Sequence, residues 1–104
     1  MGKLEHSIED AVDRWAKRTG RILIFKLKLD TNAGWPDKMY LLPGNQACFI
    51  EFKRAGEEPE PLQYHRIKVL RSYQYEVCWT RSSKAAIRWL SAKLQAAPVP
   101  KTRR

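Results

Sequence analysis

Four polar residues interrupt otherwise apolar stretches: Asp37, directly after Pro36; Glu51 and Lys53, two apart in the run Ala47-Cys-Phe-Ile-Glu-Phe-Lys; and Gln63, near the start of a helical segment. Side chains of a strand alternate between its faces. Ala47, Phe49, Glu51 and Lys53 therefore share one face, and Cys48, Ile50 and Phe52 share the other, core-like one. A carboxylate and an ammonium side by side in an apolar strand cost stability unless something pairs with them. Their types suit a divalent cation and an anionic substrate. Asp37 and Glu51, on adjacent strands, can converge on one ion, with the backbone carbonyl of Phe52 as a further ligand and Glu5 reaching in from the first helix. Hydrolysis of a phosphodiester needs a positioned water and relief of charge on phosphate oxygens, and a hard cation held by carboxylates supplies both. Lys53 would then position the water or offset developing charge. Gln63 would orient the lysine, the water or the phosphate.

The elements that position these residues follow from periodicity and turn chemistry. Leu4, Ile8, Ala11, Val12 and Trp15 fall at helical spacing, which predicts an amphipathic helix from Leu4 to about Arg18, ending near Gly20. Glu5 lies beside Val12 on the flank of the apolar stripe and can reach inward, and Glu9 falls further toward solvent; periodicity leaves open which of the two is the helix carboxylate at the site. Arg21 to Leu29 reads as a strand and Asp30 to Gly34 as a turn. Lys38 to Leu42 is a second strand, Pro43 to Asn45 a hairpin turn, and Gln46 to Lys53 a third strand. Arg54 to Pro61 is polar and reads as an exposed loop. A helix from about Leu62 to Ser72 carries Gln63, Ile67 and Leu70 on its inward stripe, with Arg66, Lys68 and Arg71 opposite. Tyr75 to Thr80 is a fourth strand. Ser82 or Ser83 caps a third helix whose buried stripe is Ala86, Ile87, Leu90 and Leu94. Trp15 and Trp89 read as packing residues. The order is αβββαβα, a mixed α/β sheet with helices on its faces.

A chain of 104 residues forms one domain with a single modest core, assigned here to residues 1–97, followed by a basic tail, 98–104, that reads as disordered. Its 20 Lys and Arg outnumber 11 Asp and Glu for a net charge of +9 and a pI near 9.9, which suits a polyanionic partner, nucleic acid before an anionic membrane surface. No apolar run approaches the ~20 residues of a membrane span. Glu5, Glu9 and Asp10 break any signal-peptide core. Cys48 and Cys78 have no disulfide or zinc spacing and read as buried thiols of a reducing cytoplasm. His6 and His65 are too isolated for a zinc site.

The spacing of Pro-Asp, thirteen residues, then Glu-x-Lys on a strand resembles the virus-type replication and repair nuclease (VRR-NUC) family, within the restriction-endonuclease-like PD-(D/E)xK superfamily. The matching residues are Leu-Glu5-His-Ser-Ile-Glu9, Gly34-Trp-Pro-Asp37, Phe49-Ile-Glu51-Phe-Lys53 and Pro61-Leu-Gln63, and the resemblance runs from about Lys3 to Trp79. It implies that Asp37 and Glu51 are metal ligands, Lys53 the catalytic lysine, Glu5 the first-helix glutamate and Gln63 the glutamine opening the helix after the loop. It also implies a magnesium-dependent endonuclease, with manganese as a substitute, acting as a homodimer on branched DNA such as Holliday junctions. Arg54-Ala55 stands where the family usually has a small or apolar residue. The strand ending Cys78-Trp79-Thr80 is bulkier than is common, so its outer face reads as an interface. Two other readings compete: a non-catalytic nucleic-acid-binding module of the same fold, and a protein–protein adaptor with solvating charges. An inward Asp/Glu pair would repel phosphate unless a metal lay between them, which disfavours the first, and the +9 charge disfavours the second.

Overall fold

The computed structural model describes residues 5–27 and 33–98, with the side chain of Glu5 outside that set. The elements are α1 (Glu5–Thr19), β1 (Leu23–Lys26), β2 (Lys38–Leu42), β3 (Gln46–Phe52), α2 (Pro61–Ser72), β4 (Glu76–Thr80) and α3 (Ser83–Ala96), the order the sequence implied. β1, β2 and β3 run antiparallel in sequence order, and β4 joins the edge of β3 in parallel. Adjacent antiparallel strands need only short turns. The parallel step from β3 to β4 needs a crossover, and α2 provides it. Gly44 and Asn45, with φ of 82° and 64°, make the turn between β2 and β3.

Alternation fixes what each face of the sheet buries. Tyr40 and Leu42 of β2 share a face with Cys48, Ile50 and Phe52 of β3, and α1 and α3 close over it with Ile8, Val12 and Ala16 and with Ala86, Leu90 and Leu94. Trp15, Ile87 and Trp89 pack at its margin as expected. α2 lies against β4 on the opposite face, where Ile67 and Val77 are buried. Ser82 caps α3 by accepting the Ala85 N–H at 3.1 Å. Burial pushes the thiols of Cys48 and Cys78 up to about 11 and about 12. Among the described residues no helix is long and apolar enough to cross a membrane.

Three expectations are corrected. β1 covers only Leu23–Lys26 rather than Arg21 to Leu29, of which Lys28 and Leu29 lie outside the described residues. α2 begins at Pro61, whose missing N–H and fixed φ suit the first helical position. Glu9, expected in solvent, is buried at 8% exposure, because Lys38 enters the same interior from β2. Lys38 Nζ lies 2.9 Å from Glu9 Oε2 and 2.7 Å from Asp13 Oδ2, and Tyr40 donates its hydroxyl to Asp13 Oδ1 at 2.7 Å. Lys26 adds a longer, half-exposed contact to Glu9 at 3.4 Å. Burial alone would lower the Lys38 pKa, but the hydrogen bonds and charges of Asp13 and Glu9 outweigh it and hold the ammonium above its ordinary value. Burial, then the Asp13 hydrogen bond, likewise raises Tyr40 well above the phenol range. The basic tail from position 99 lies outside the described residues.

Candidate active site at the paired ends of the second and third strands

β3 delivers Glu51 and Lys53 to the sheet face opposite the main core. Glu51 is only 7% exposed. Gln63, in the first turn of α2, donates Nε2 to Glu51 Oε2 at 3.1 Å, and Lys53 Nζ stands 3.8 Å from the same oxygen. The other end of the Gln63 amide is fixed too: its Oε1 accepts the Glu60 N–H at 2.9 Å. This contact satisfies one of the orphan donors at the start of α2, so a single side chain caps the helix and orients the carboxylate. The Gln63 amide therefore has one orientation, oxygen toward the helix end and nitrogen toward Glu51.

Asp37 immediately precedes β2. In the β2–β3 ladder Lys38 is opposite Ile50 and Met39 is opposite Phe49, so one further step brings Asp37 opposite Glu51. Residues directly opposite in an antiparallel pair share a face. The Asp37 carbonyl accepts the Leu27 N–H at 2.6 Å, which carries the β1–β2 ladder one step past its last paired residues and ties the Asp37 backbone to the sheet. Upstream, Gly34 holds φ at 87°, and a Cβ there would come within 2.7 Å of Leu62 Cγ. Only glycine allows the chain leading to Asp37 to press this closely on α2. Phe52 ends β3 with its side chain in the core, leaving its carbonyl at the strand end beside Glu51.

Asp37, Glu51, Lys53 and Gln63 thus gather at one end of the sheet, where β2 starts, β3 ends and α2 begins. The side chain of Glu5 lies outside the described residues. Glu9 is directed to Lys38, on the face of the sheet that α1 covers, and is not part of this group. Among the described residues no cluster of three or more His, Cys, Asp or Glu side chains forms a metal cage. Two carboxylates and a backbone carbonyl are a hard, all-oxygen donor set, and magnesium characteristically takes one or two carboxylates and completes its shell with water and substrate phosphate. The donor set fits such an ion.

Aromatic and basic residues surround the group. Trp79 is the register partner of Glu51 on β4. Tyr64 meets Trp79 edge-on at 6.3 Å, and the Arg81 guanidinium lies 4.8 Å over the Trp79 ring. Trp35 carries the Arg66 guanidinium at 4.6 Å. On the outer face expected to be an interface, Trp79 is a half-buried indole under an arginine of the same chain. Sequence reasoning left Trp35 without a role, although its place two residues before Asp37 marked it.

No protein-family model matches the chain, and no curated protein matches it. Solved structures do. One described as "VRR_NUC domain" aligns with a TM-score of 0.74 at 23% identity, covering 84% of this chain and 94% of that one. Another, described as "VRR_NUC domain protein", aligns with a TM-score of 0.74 at 20% identity, covering 91% of each chain. A mixed four-stranded sheet in the order β1-β2-β3-β4, with two helices on one face and the crossover helix on the other, gives this chain the fold of VRR_NUC domains, the PD-(D/E)xK-like arrangement that the sequence implied.

Proposed function

We propose that this chain is a magnesium-dependent DNA endonuclease, selective for branched DNA such as Holliday junctions and active as a homodimer in the cytoplasm. The observation that carries the reading is the buried Glu51 carboxylate, held by Gln63 and Lys53 and standing opposite Asp37 in the strand register. A buried carboxylate held by an amide and an ammonium, opposite a second carboxylate in the register, is the arrangement a cation site requires. Asp37, Glu51 and the Phe52 carbonyl would hold the ion, with the first-helix glutamate Glu5 as a further candidate ligand. Magnesium bound there, or manganese in its place, acidifies water and offsets phosphate charge. Lys53 holds the attacking water or the phosphoryl oxygens, while Gln63 keeps Glu51 in place. Water adds to phosphorus, one P–O ester bond breaks, and the departing oxygen takes up a proton. The basic surface provides backbone affinity independent of sequence.

The dimer reading is supported by β1. Leu23 and Phe25 stand 62% and 43% exposed on the face away from α1, beside the half-buried Met39 and Leu41, an apolar patch suited to a second copy. The test is a cleavage panel of junction, flap and linear duplex DNA with magnesium, manganese or EDTA. Cutting of the junction by wild type with either metal, abolished by EDTA and by Lys53→Ala, is the expected result. Equal cutting by Lys53→Ala removes the lysine from the mechanism, and no metal-dependent cutting of any substrate overturns the reading in favour of a binding module.

A further inference from the structure

Two arginine–tryptophan pairs bracket the site in the same way. Arg66 projects from α2 one turn beyond Gln63, covers Trp35 and donates Nε–H to the Ala33 carbonyl at 3.3 Å. This fastens α2 to the loop that leads into Asp37. Arg81 follows β4, covers Trp79 and donates Nε–H to the Glu57 carbonyl. This fastens β4 to the loop that leaves Lys53. One pair therefore flanks Asp37 and the other flanks Glu51 and Lys53.

Each guanidinium is immobilised by a stacked ring and a backbone carbonyl, yet among the described residues each uses only its Nε–H on protein. A guanidinium has five N–H donors in a rigid fork, so the outer four remain for a ligand, and both Nε contacts are exposed. Among the described residues no carboxylate pairs with either guanidinium, whereas nearby Arg54 does pair with Glu57, at 3.0 Å. A fixed, exposed fork with no acidic partner among the described residues suits phosphate oxygens, and its ordering is already achieved before the ligand arrives.

We infer that Arg66 and Arg81 are the two backbone clamps of this protein, each binding a phosphate of the DNA strand, one on either side of the phosphate presented to Asp37, Glu51 and Lys53. The inference rests on the endonuclease reading, but its test does not depend on cleavage.

The experiment measures the affinity of the Lys53→Ala protein for a fluorescein-labelled four-way junction, with magnesium present, across about 50 to 200 mM salt. Arg66→Gln and Arg81→Gln, each in that background, should reduce the slope of log Kd against log salt by about 0.9, the loss of one phosphate contact. Arg66→Lys and Arg81→Lys should restore the slope, because charge and reach remain although the Nε latch is gone. Arg88→Gln, an exposed charge on α3, should leave it unchanged. If the arginines only fasten loops, the Gln and Lys variants will weaken binding alike with an unaltered slope, which overturns the inference. An equal slope change from Arg88→Gln overturns it too, since any surface charge would then serve. Failure of the Lys53→Ala protein to bind the junction at all would sink the endonuclease reading itself; binding with unaltered slopes would sink only the clamps. Far-ultraviolet circular dichroism of each variant confirms the fold, and the Lys variants decide the matter should a Gln variant unfold.

Discussion

Replacing Lys38 by methionine should be among the most damaging single changes outside the site. Its side chain is 6% exposed and lies between Glu9 and Asp13, themselves only 10% and 18% exposed, at 2.9 and 2.7 Å. Methionine fills much of the volume but leaves two carboxylates without their shared cation. Breaking a buried pair by removing one partner costs about 3–5 kcal/mol. Lys26 offsets little of this, because its contact to Glu9 is 3.4 Å long with half of the lysine side chain in solvent, the kind of pair worth at most about 1 kcal/mol. In a chain of this size each kcal/mol shifts Tm by ~4–8 °C, so the melting point should fall by about 12 °C or more. Urea denaturation of wild type, Lys38→Met and the triple variant Glu9→Gln/Asp13→Asn/Lys38→Met separates lost packing from stranded charge. The triple variant should recover most of the loss. A Lys38→Met protein within about 1 kcal/mol of wild type would refute the reasoning, as would a triple variant no better than the single one. The network also anchors the residue next to Asp37, so cleavage by Lys38→Met should fall even at temperatures where the protein stays folded.

Two further outcomes follow from the same geometry. Gly34→Ala places a Cβ 2.7 Å from Leu62 Cγ at a φ of 87°, and should cost about 1–3 kcal/mol in denaturant melts while weakening metal-dependent cleavage through displaced Asp37. Lys38 and Tyr40 both hold their protons more tightly in the folded chain than at their ordinary values of 10.5 and 10.0. The unfolded chain therefore binds fewer protons above pH ~10, and stability, fully present below that range, should decline as pH rises through it. Tyr40→Phe should flatten that decline in melts taken across the alkaline range, and an unchanged slope would contradict it.

Much of the architecture was legible because local signals and tertiary demands agree. The alternation of Cys48, Ile50 and Phe52 against Phe49 and Glu51 marked the two faces of β3, Gly44 and Asn45 marked the hairpin, and the Ser82-Ser83 pair marked the start of α3, where Ser82 is the cap. Asp37, Glu51, Lys53 and Gln63 were singled out as candidates from type and spacing, and these four positions lie at one sheet end. The Lys38 network was missed because its members lie 25 to 29 residues apart, and periodicity treats each charge as a surface residue. A signal was present: Lys38 alternates in phase with Tyr40 and Leu42, which puts its stem on the core face. The short β1 was overextended because its apolar residues Leu23 and Phe25 face outward, so their pattern reports an exposed patch rather than the extent of pairing. The Arg66–Trp35 pair was invisible for the same reason as the network, since only the crossover brings its members together, whereas Trp79 and Arg81 stand two apart in sequence and could have been noticed.

The proposed nuclease activity requires a divalent ion bound between Asp37 and Glu51. Calorimetric titration of manganese into wild type, Asp37→Asn and Glu51→Gln, with folding verified for each, tests that claim most directly. A single class of site in wild type that is lost or weakened at least about tenfold in both variants, some 1.4 kcal/mol, is the predicted result. Wild-type affinity in either variant would contradict it.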